Sequence, residues 1–239
     1  MNTIKFQKSN VQIVAHRGLS GLEKENTNAA FIAAGNRSYF GIETDVRKTA
    51  DGQFILNHDA HFKRVAGESL VIAESSKALV QSVVLHDMDG SKNRADLRPA
   101  TLENYLSICK KYEKTCVLEL KDQVSREDLL EMIDIIKGYE YLENVVFISF
   151  EYENMTLLRE ILPEQPAQFL DFTITEELIA KAAADKLDLD IKFSSLTPEL
   201  IEKAHKAGVK INCWTVNTKE DGERLVSWGV DYITTNILE

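Results

Sequence analysis

Short apolar and β-branched runs recur along the chain at Val11 to Ala15, Phe40 to Val46, Cys116 to Leu120, Val145 to Phe150, Ala167 to Leu170, Leu187 to Ile191, Lys210 to Val216 and Tyr232 to Thr235. Most are separated by about 10 to 15 residues of helical spacing, the alternation expected of βαβ units around a parallel sheet. Helix starts are marked by N-cap chemistry: Thr197 precedes Pro198 and Glu199, and Ser125 and Thr218 stand three residues before Asp128 and Asp221. Gly138 and Gly208 fall where helices should stop. Eight such runs favour a closed (β/α)8 TIM barrel over an open doubly wound sheet, and no GxGxxG or GxxxxGK loop follows the first run.

One stretch breaks the rhythm. Residues 59–98 carry mixed charge, few Gly or Pro and a modest apolar pattern at Leu70 to Ala73 and Ala78 to Leu85. Connections of this length are usually functional or fold on their own, so the pattern predicts an insertion after the second strand, lying over the C-terminal mouth of the barrel. The expectation is one domain over residues 1–239, since barrels of about 250 residues form a single core.

Composition narrows the function. With 44% hydrophobic residues and a formal charge of -10, the chain lacks the basic face that a nucleic acid requires. Any phosphate must be met locally. Cys109, Cys116 and Cys213 have neither disulfide nor zinc spacing and are expected to be buried and reduced. The first residues lack an apolar leader core, and no apolar run approaches the ~18 residues of a membrane span. No stable membrane anchor and a cytoplasmic address are therefore expected; the oligomeric state is not indicated.

The candidate chemistry concentrates in Val14-Ala-His16-Arg17-Gly18, Glu43-Thr-Asp45 and Asn57-His58-Asp59. Strand side chains alternate, so Glu43 and Asp45 share the inward face, as do Glu119 and Lys121, while Thr44 and Val46 face the helices. Adjacent carboxylates in a barrel mouth repel one another, and a cation resolves this; oxygen donors point to Mg²⁺ or Ca²⁺. The competing reading is a structural network with Arg17, Lys121 or Arg47. Three carboxylates at the C-terminal strand ends, where barrel enzymes keep their chemistry, favour the metal. His16 and His58 can serve as acid and base, whereas His61, His86 and His205 are read as structural. Arg17 offers a planar fork for phosphate and Lys121 a point charge. These three carboxylates and two cations leave one net negative charge, which repels a phosphodiester; one divalent cation reverses the sign.

The ordered set His16-Arg17-Gly18, Glu25-Asn26-Thr27, Glu43-Thr-Asp45-Val46, Thr49-Ala-Asp51-Gly52, His58-Asp59, Pro99-Ala-Thr101-Leu102-Glu103, Leu118-Glu119-Leu-Lys121, Trp214-Thr-Val-Asn217 and Gly229-Val-Asp231 resembles the glycerophosphodiester phosphodiesterases, from about residue 11 to the end. The resemblance implies a (β/α)8 barrel with an insertion after strand 2, a divalent cation on Glu43, Asp45 and Glu119, catalytic His16 and His58, and phosphate held by Arg17 and Lys121. It also implies Trp214 packed against a glycerol moiety. The implied reaction takes a glycerophosphodiester, such as glycerophosphocholine or glycerophosphoethanolamine, to sn-glycerol 3-phosphate and an alcohol. Whether water or the glycerol 2-hydroxyl attacks first, through a cyclic phosphate, is left open, as is which histidine is acid and which is base.

Two alternatives stand beside it. One is a lysophospholipase D, with an apolar groove lined by Leu70, Val71 and Ile72; the other is a non-catalytic phosphodiester-binding barrel. Two departures from the family pattern are Lys24, where proline is usual, and Asn236, where aspartate commonly follows the last strand. Neither is a metal, acid or base position, so they are expected to alter loop shape and rim polarity and not the reaction.

Overall fold

A computed structural model describes residues 2–239. Its eight parallel strands are β1 (Gln12–Ala15), β2 (Gly41–Lys48), β4 (Thr115–Leu120), β5 (Val145–Ser149), β6 (Ala167–Asp171), β7 (Asp188–Lys192), β8 (Ile211–Trp214) and β9 (Tyr232–Thr235). They follow one another in this order, and β1 closes the barrel by pairing with both β9 and β2. Every one of the eight runs named above is a strand of this barrel.

A ninth strand, β3 (Phe54–Leu56), was not among them. The end of β2, Val46 to Lys48, pairs antiparallel with it in the register Val46↔Leu56, and only Val46 of these also pairs within the barrel, with Leu120 of β4. Thr49-Ala-Asp51-Gly52 is the turn of this hairpin: the Thr49 N–H donates to the Gln53 carbonyl at 2.8 Å, and Gly52 supplies the left-handed φ of 80°. Folding back in this way returns His58 to the end of the barrel that β2 has just left.

Helices cover the outside: α1 (Asn28–Gly35), α4 (Leu102–Lys111), α5 (Arg126–Gly138), α6 (Tyr152–Ile161), α7 (Glu176–Ala184), α8 (Pro198–Lys206) and α9 (Lys219–Trp228). Ser125, Thr197 and Thr218 cap α5, α8 and α9, each accepting from a backbone N–H in the first turn. The main core fills the space between strands and helices, with Ile42, Val46, Leu118, Phe147, Leu189 and Ile211 facing outward from the strands. All three cysteines are buried and unpaired.

The barrel interior is small and divided. Val14, Val117, Ile148 and Leu170 form an apolar plug. Beside it, Gln168, Asn212 and Thr234 make a buried polar ladder, in which the Asn212 amide donates to Gln168 Oε1 at 3.1 Å and the Thr234 hydroxyl to Asn212 Oδ1 at 3.2 Å.

The segment 59–98 contains the short helices α2 (Lys63–Ala66) and α3 (Lys77–Ser82). Ile55, Phe62, Val65, Ile72, Val80, Leu85 and Leu97 bury one another in a satellite core that also takes in Leu70 and Ala29. Its apolar residues are satisfied against β3 and α1, so it sits beside the mouth and not across it. Among the described residues, none of 59–98 lines the mouth cavity. The groove expected from Leu70, Val71 and Ile72 is absent for the same reason: Ile72 is 1% exposed and Leu70 packs with it. Among the described residues no helix is long and apolar enough to cross a membrane.

Candidate active site

The C-terminal ends of the strands converge on a cavity of about 100 Å³ whose lining includes His16, Arg17, Glu43, His58, Glu119, Asp190 and Trp214. A groove of about 390 Å³ between α6 and α7 on the outer face is larger. Volume does not single out the mouth; its chemistry does.

His16 follows β1, its N–H held by the Thr235 carbonyl at 2.8 Å. The chain then turns through two left-handed residues, Arg17 (φ 54°) and Gly18 (φ 78°). Gly18 has no alternative, because a Cβ there would lie 2.7 Å from the backbone of Ala30 on α1. This turn aims the Arg17 N–H at Glu43 Oε2, 2.7 Å away. The Arg17 guanidinium reaches Glu25 at 2.9 Å and Asp45 at 3.4 Å.

Glu43 and Asp45 share the inward face of β2, and Glu119 joins them from β4, where the register places it opposite Asp45. All three are buried, and one carboxylate oxygen from each lies within 4.8 Å of the others. Asp45 is the most tightly held: Asn26 donates to its Oδ2 at 2.8 Å, and the Thr44 hydroxyl fixes Asn26 in turn at 2.7 Å. Its Oδ1 is buried without a hydrogen-bond partner, although Lys121 Nζ stands 3.6 Å away. A buried orphan carboxylate oxygen on one of three clustered carboxylates makes an oxygen donor set that could hold a hard divalent cation. Lys121 also bonds Glu119 at 2.8 Å, whereas Arg47 turns away to Asp122 and the His58 carbonyl.

The protonation behaviour follows the crowding. Burial opposes ionisation of Asp45, but Arg17 and Lys121, with help from His58 and Asn26, outweigh it and hold Asp45 well below the usual carboxylate range. Burial and then the Asp45 and Glu119 charges push Glu43 well up. Burial and the Asp45 charge push Glu119 up to about 7 against the pull of Lys121. Burial and mutual repulsion thus oppose ionising all three carboxylates at once, even with Arg17 and Lys121 beside them.

The two histidines have different partners. His16 Nδ1 lies 2.7 Å from Asn236 Oδ1, and its Nε2 lies 4.0 Å from Glu43. Burial, followed by the charge of Arg17, pushes its pKa down to about 4. His58 Nδ1 lies 2.9 Å from Asp59 Oδ1, and Asp59 is held by Arg64, which also grips Glu25. Burial lowers His58 too, while the Asp45 charge opposes it. His205 pairs with Asp231 on the barrel exterior; neither it nor His61 nor His86 lines the cavity.

Trp214, at the end of β8, faces the cavity and donates from Nε1 to the Asp190 carbonyl at 3.1 Å. It packs edge-on against Phe150 and Phe172, with centroids 5.6 and 5.3 Å away, and those two stack at 5.2 Å.

Sequence reasoning missed several of these residues. Glu25 and Asn26 were visible only as a motif, without the contacts that brace Arg17 and Asp45. Asp190 is 2% exposed, with an unpartnered Oδ1 and a pKa raised well above normal by burial. Alternation in Leu187-Asp-Leu-Asp190-Ile could have placed it inward. Asn236 is a rim substitution in sequence terms; the structure sets its side-chain oxygen 2.7 Å from His16 Nδ1, a contact that linear spacing does not reveal.

Comparison with known proteins agrees with the fold. The family model for the glycerophosphoryl diester phosphodiesterase family matches residues 16–239. A Caldanaerobacter subterraneus protein named glycerophosphodiester phosphodiesterase is 29% identical over 94% of this chain and 93% of its own length. A Bacillus subtilis protein of uncharacterised function is 27% identical over 95% and 96%. Among solved structures, an Oleispira antarctica phosphodiesterase in complex with the product sn-glycerol-3-phosphate superposes with a TM-score of 0.86 at 22% identity, covering 94% of this chain and 92% of that one. A Thermotoga maritima glycerophosphodiester phosphodiesterase gives a TM-score of 0.77 at 23% identity, covering 96% of each. Likenesses of this kind concern the fold.

Proposed function

This chain belongs to the glycerophosphoryl diester phosphodiesterase family, and from that premise we propose that its barrel mouth hydrolyses glycerophosphodiesters such as glycerophosphocholine or glycerophosphoethanolamine. The products are sn-glycerol 3-phosphate and the free alcohol. The observation that carries the reading is the buried orphan oxygen of Asp45 among three clustered carboxylates, in a cavity that two histidines also line.

Glu43, Asp45 and Glu119 would hold a divalent cation, Mg²⁺ or Ca²⁺, which when bound would supply Lewis-acid polarisation of a phosphoryl oxygen and make the net charge of the site positive. Arg17 and Lys121 hold the phosphodiester oxygens by charge-assisted hydrogen bonds. Trp214 covers the apolar face of the glycerol moiety and excludes water beside it.

His16 accepts the proton of the attacking hydroxyl as a new P–O bond forms; that hydroxyl is water's or the glycerol 2-hydroxyl, and in the second case water then opens the resulting cyclic phosphate to give sn-glycerol 3-phosphate. His58 gives its proton to the departing alkoxide as the other P–O bond breaks. Partner chemistry supports this division. His16 faces a neutral amide and lies beside Arg17, which favours the uncharged imidazole of a base; burial lowers His58 as well, but the Asp45 charge and the Asp59 carboxylate oppose it, so His58 holds a proton more readily than His16.

The test is direct: glycerophosphocholine turnover is followed before EDTA, after it, and after Mg²⁺ or Ca²⁺ is restored. Activity is expected to vanish and return. Full turnover after chelation overturns the metal assignment, and calorimetric binding of glycerophosphocholine without turnover favours a binding barrel. Parallel assays on lysophosphatidylcholine separate the lysophospholipase D alternative.

A further inference from the structure

Asn236 carries no part of the reaction as described, yet among the described residues its side chain is the sole hydrogen-bond partner of the His16 ring. Barrel closure brings them together: β1 and β9 pair in the register Ala15↔Thr235, so His16 and Asn236 leave neighbouring strands side by side.

Asn236 is anchored at several points. Its N–H donates to Asn217 Oδ1 at 2.9 Å, and its carbonyl accepts from the Gly21 N–H at 2.8 Å. Gly21 must be small, since a Cβ there would lie 2.6 Å from that carbonyl oxygen. The side-chain Oδ1 accepts from the Ser20 hydroxyl at 2.8 Å and stands 2.7 Å from His16 Nδ1. An amide oxygen only accepts. A neutral imidazole facing it must therefore carry its single proton on Nδ1, which leaves the lone pair on Nε2, the nitrogen on the Glu43 side.

We propose that Asn236, steadied by Ser20, is a positioning residue that fixes His16 as the Nδ1–H tautomer and presents the Nε2 lone pair to the nucleophile's proton. The inference rests on the assignment of His16 as base. Using an amide, this arrangement sets the tautomer without adding a further negative charge to a wall already crowded with carboxylates.

The test combines kinetics on the Mg²⁺-loaded enzyme with ¹⁵N NMR of histidine-labelled protein, His16 being assigned by the signals lost in His16→Ala. Wild-type His16 is expected to show a protonated Nδ1 and an unprotonated Nε2; the opposite tautomer overturns the proposal whatever the variants do. Asn236→Leu, which keeps the volume and removes the acceptor, should lower kcat by roughly 10- to 100-fold with KM within about twofold, and should mix the tautomers. Asn236→Asp restores an acceptor, so it should recover most of the lost turnover and the single tautomer. Ser20→Ala should cost about threefold in kcat, in the range of a single lost hydrogen bond. Unchanged turnover or an unchanged tautomer in Asn236→Leu, or no recovery in Asn236→Asp, overturns the proposal. Near-normal kcat in His16→Ala defeats the base assignment itself. An inactive His16→Ala enzyme with the wrong wild-type tautomer defeats only the role of Asn236.

Discussion

On the side of the mouth built by β1, β2 and β4, charged side chains are locked by hydrogen bonds from several elements: Asp45 alone meets Asn26, Arg17 and Lys121. On the side built by β5, β6 and β8, the rim carries Phe150, Phe172 and Trp214, which mainly touch one another, and Phe172 is 57% exposed. The first wall is over-determined and buried, so its electrostatics are fixed before a ligand arrives. The second presents aromatic rings, and its one inward carboxyl, Asp190 on β7, is held toward its uncharged form by burial. Chemistry and fit are thus divided between two halves of one barrel, with Lys121, whose ammonium lies 6.0 Å from the Phe150 ring, at the seam.

That division predicts a ranking of effects. Removal of the divalent cation should be the most damaging, with turnover of glycerophosphocholine falling by roughly 10³-fold or more; a smaller loss would place the driving chemistry elsewhere. Next come His16→Ala and His58→Ala, each expected to lower kcat by about 10²- to 10⁴-fold. Calorimetric titration should show their Mg²⁺ affinity little changed. Near-normal turnover in either variant removes that histidine from the mechanism.

The charged wall should also leave a mark on stability. Glu119 is held up to about 7 when no cation is present. Between its unfolded value, about 4.5, and that pH, the folded chain keeps a proton that the unfolded chain has released, so stability falls as pH rises. Calorimetry of the EDTA-treated protein should therefore give a Tm at pH 7.5 lower by roughly 5 °C than at pH 5 from this group. Glu119→Gln should make this slope shallower, the remainder belonging to the buried Glu43 and Asp190, and a slope undiminished in that variant would exclude Glu119 as a source.

The smallest effects belong to the aromatic wall. Trp214→Ala should raise KM by about 10-fold with kcat nearly constant, as loss of uniform binding requires. For the more exposed Phe172→Ala, about two- to threefold is expected. A kcat defect in Trp214→Ala as large as that of a histidine variant would erase the distinction between the walls.

Much of this was legible in the linear chain. The eight runs became the eight barrel strands, and alternation put Glu43 with Asp45 and Glu119 with Lys121 on the inner face. Other features were hidden for identifiable reasons. The apolar run Phe54 to Leu56 that leads to His58 is visible in the chain, but at three residues β3 is too short to show a period. The satellite core was expected across the mouth because its apolar residues gave no sign of which surface would bury them. Glu25 reaches Arg64 across 39 positions, a pairing that charge type alone does not specify.

By itself the sequence determined which residue types stand at the strand ends and which face of each strand they share, because side-chain alternation is local and survives any tertiary arrangement. Only the tertiary structure decided which of them meet. Closing β1 against β9 joins His16 to Asn236 across 220 positions, and the β2–β4 register sets Asp45 opposite Glu119. The order and stagger of strands around a closed barrel come from packing the whole core, and no single segment encodes them.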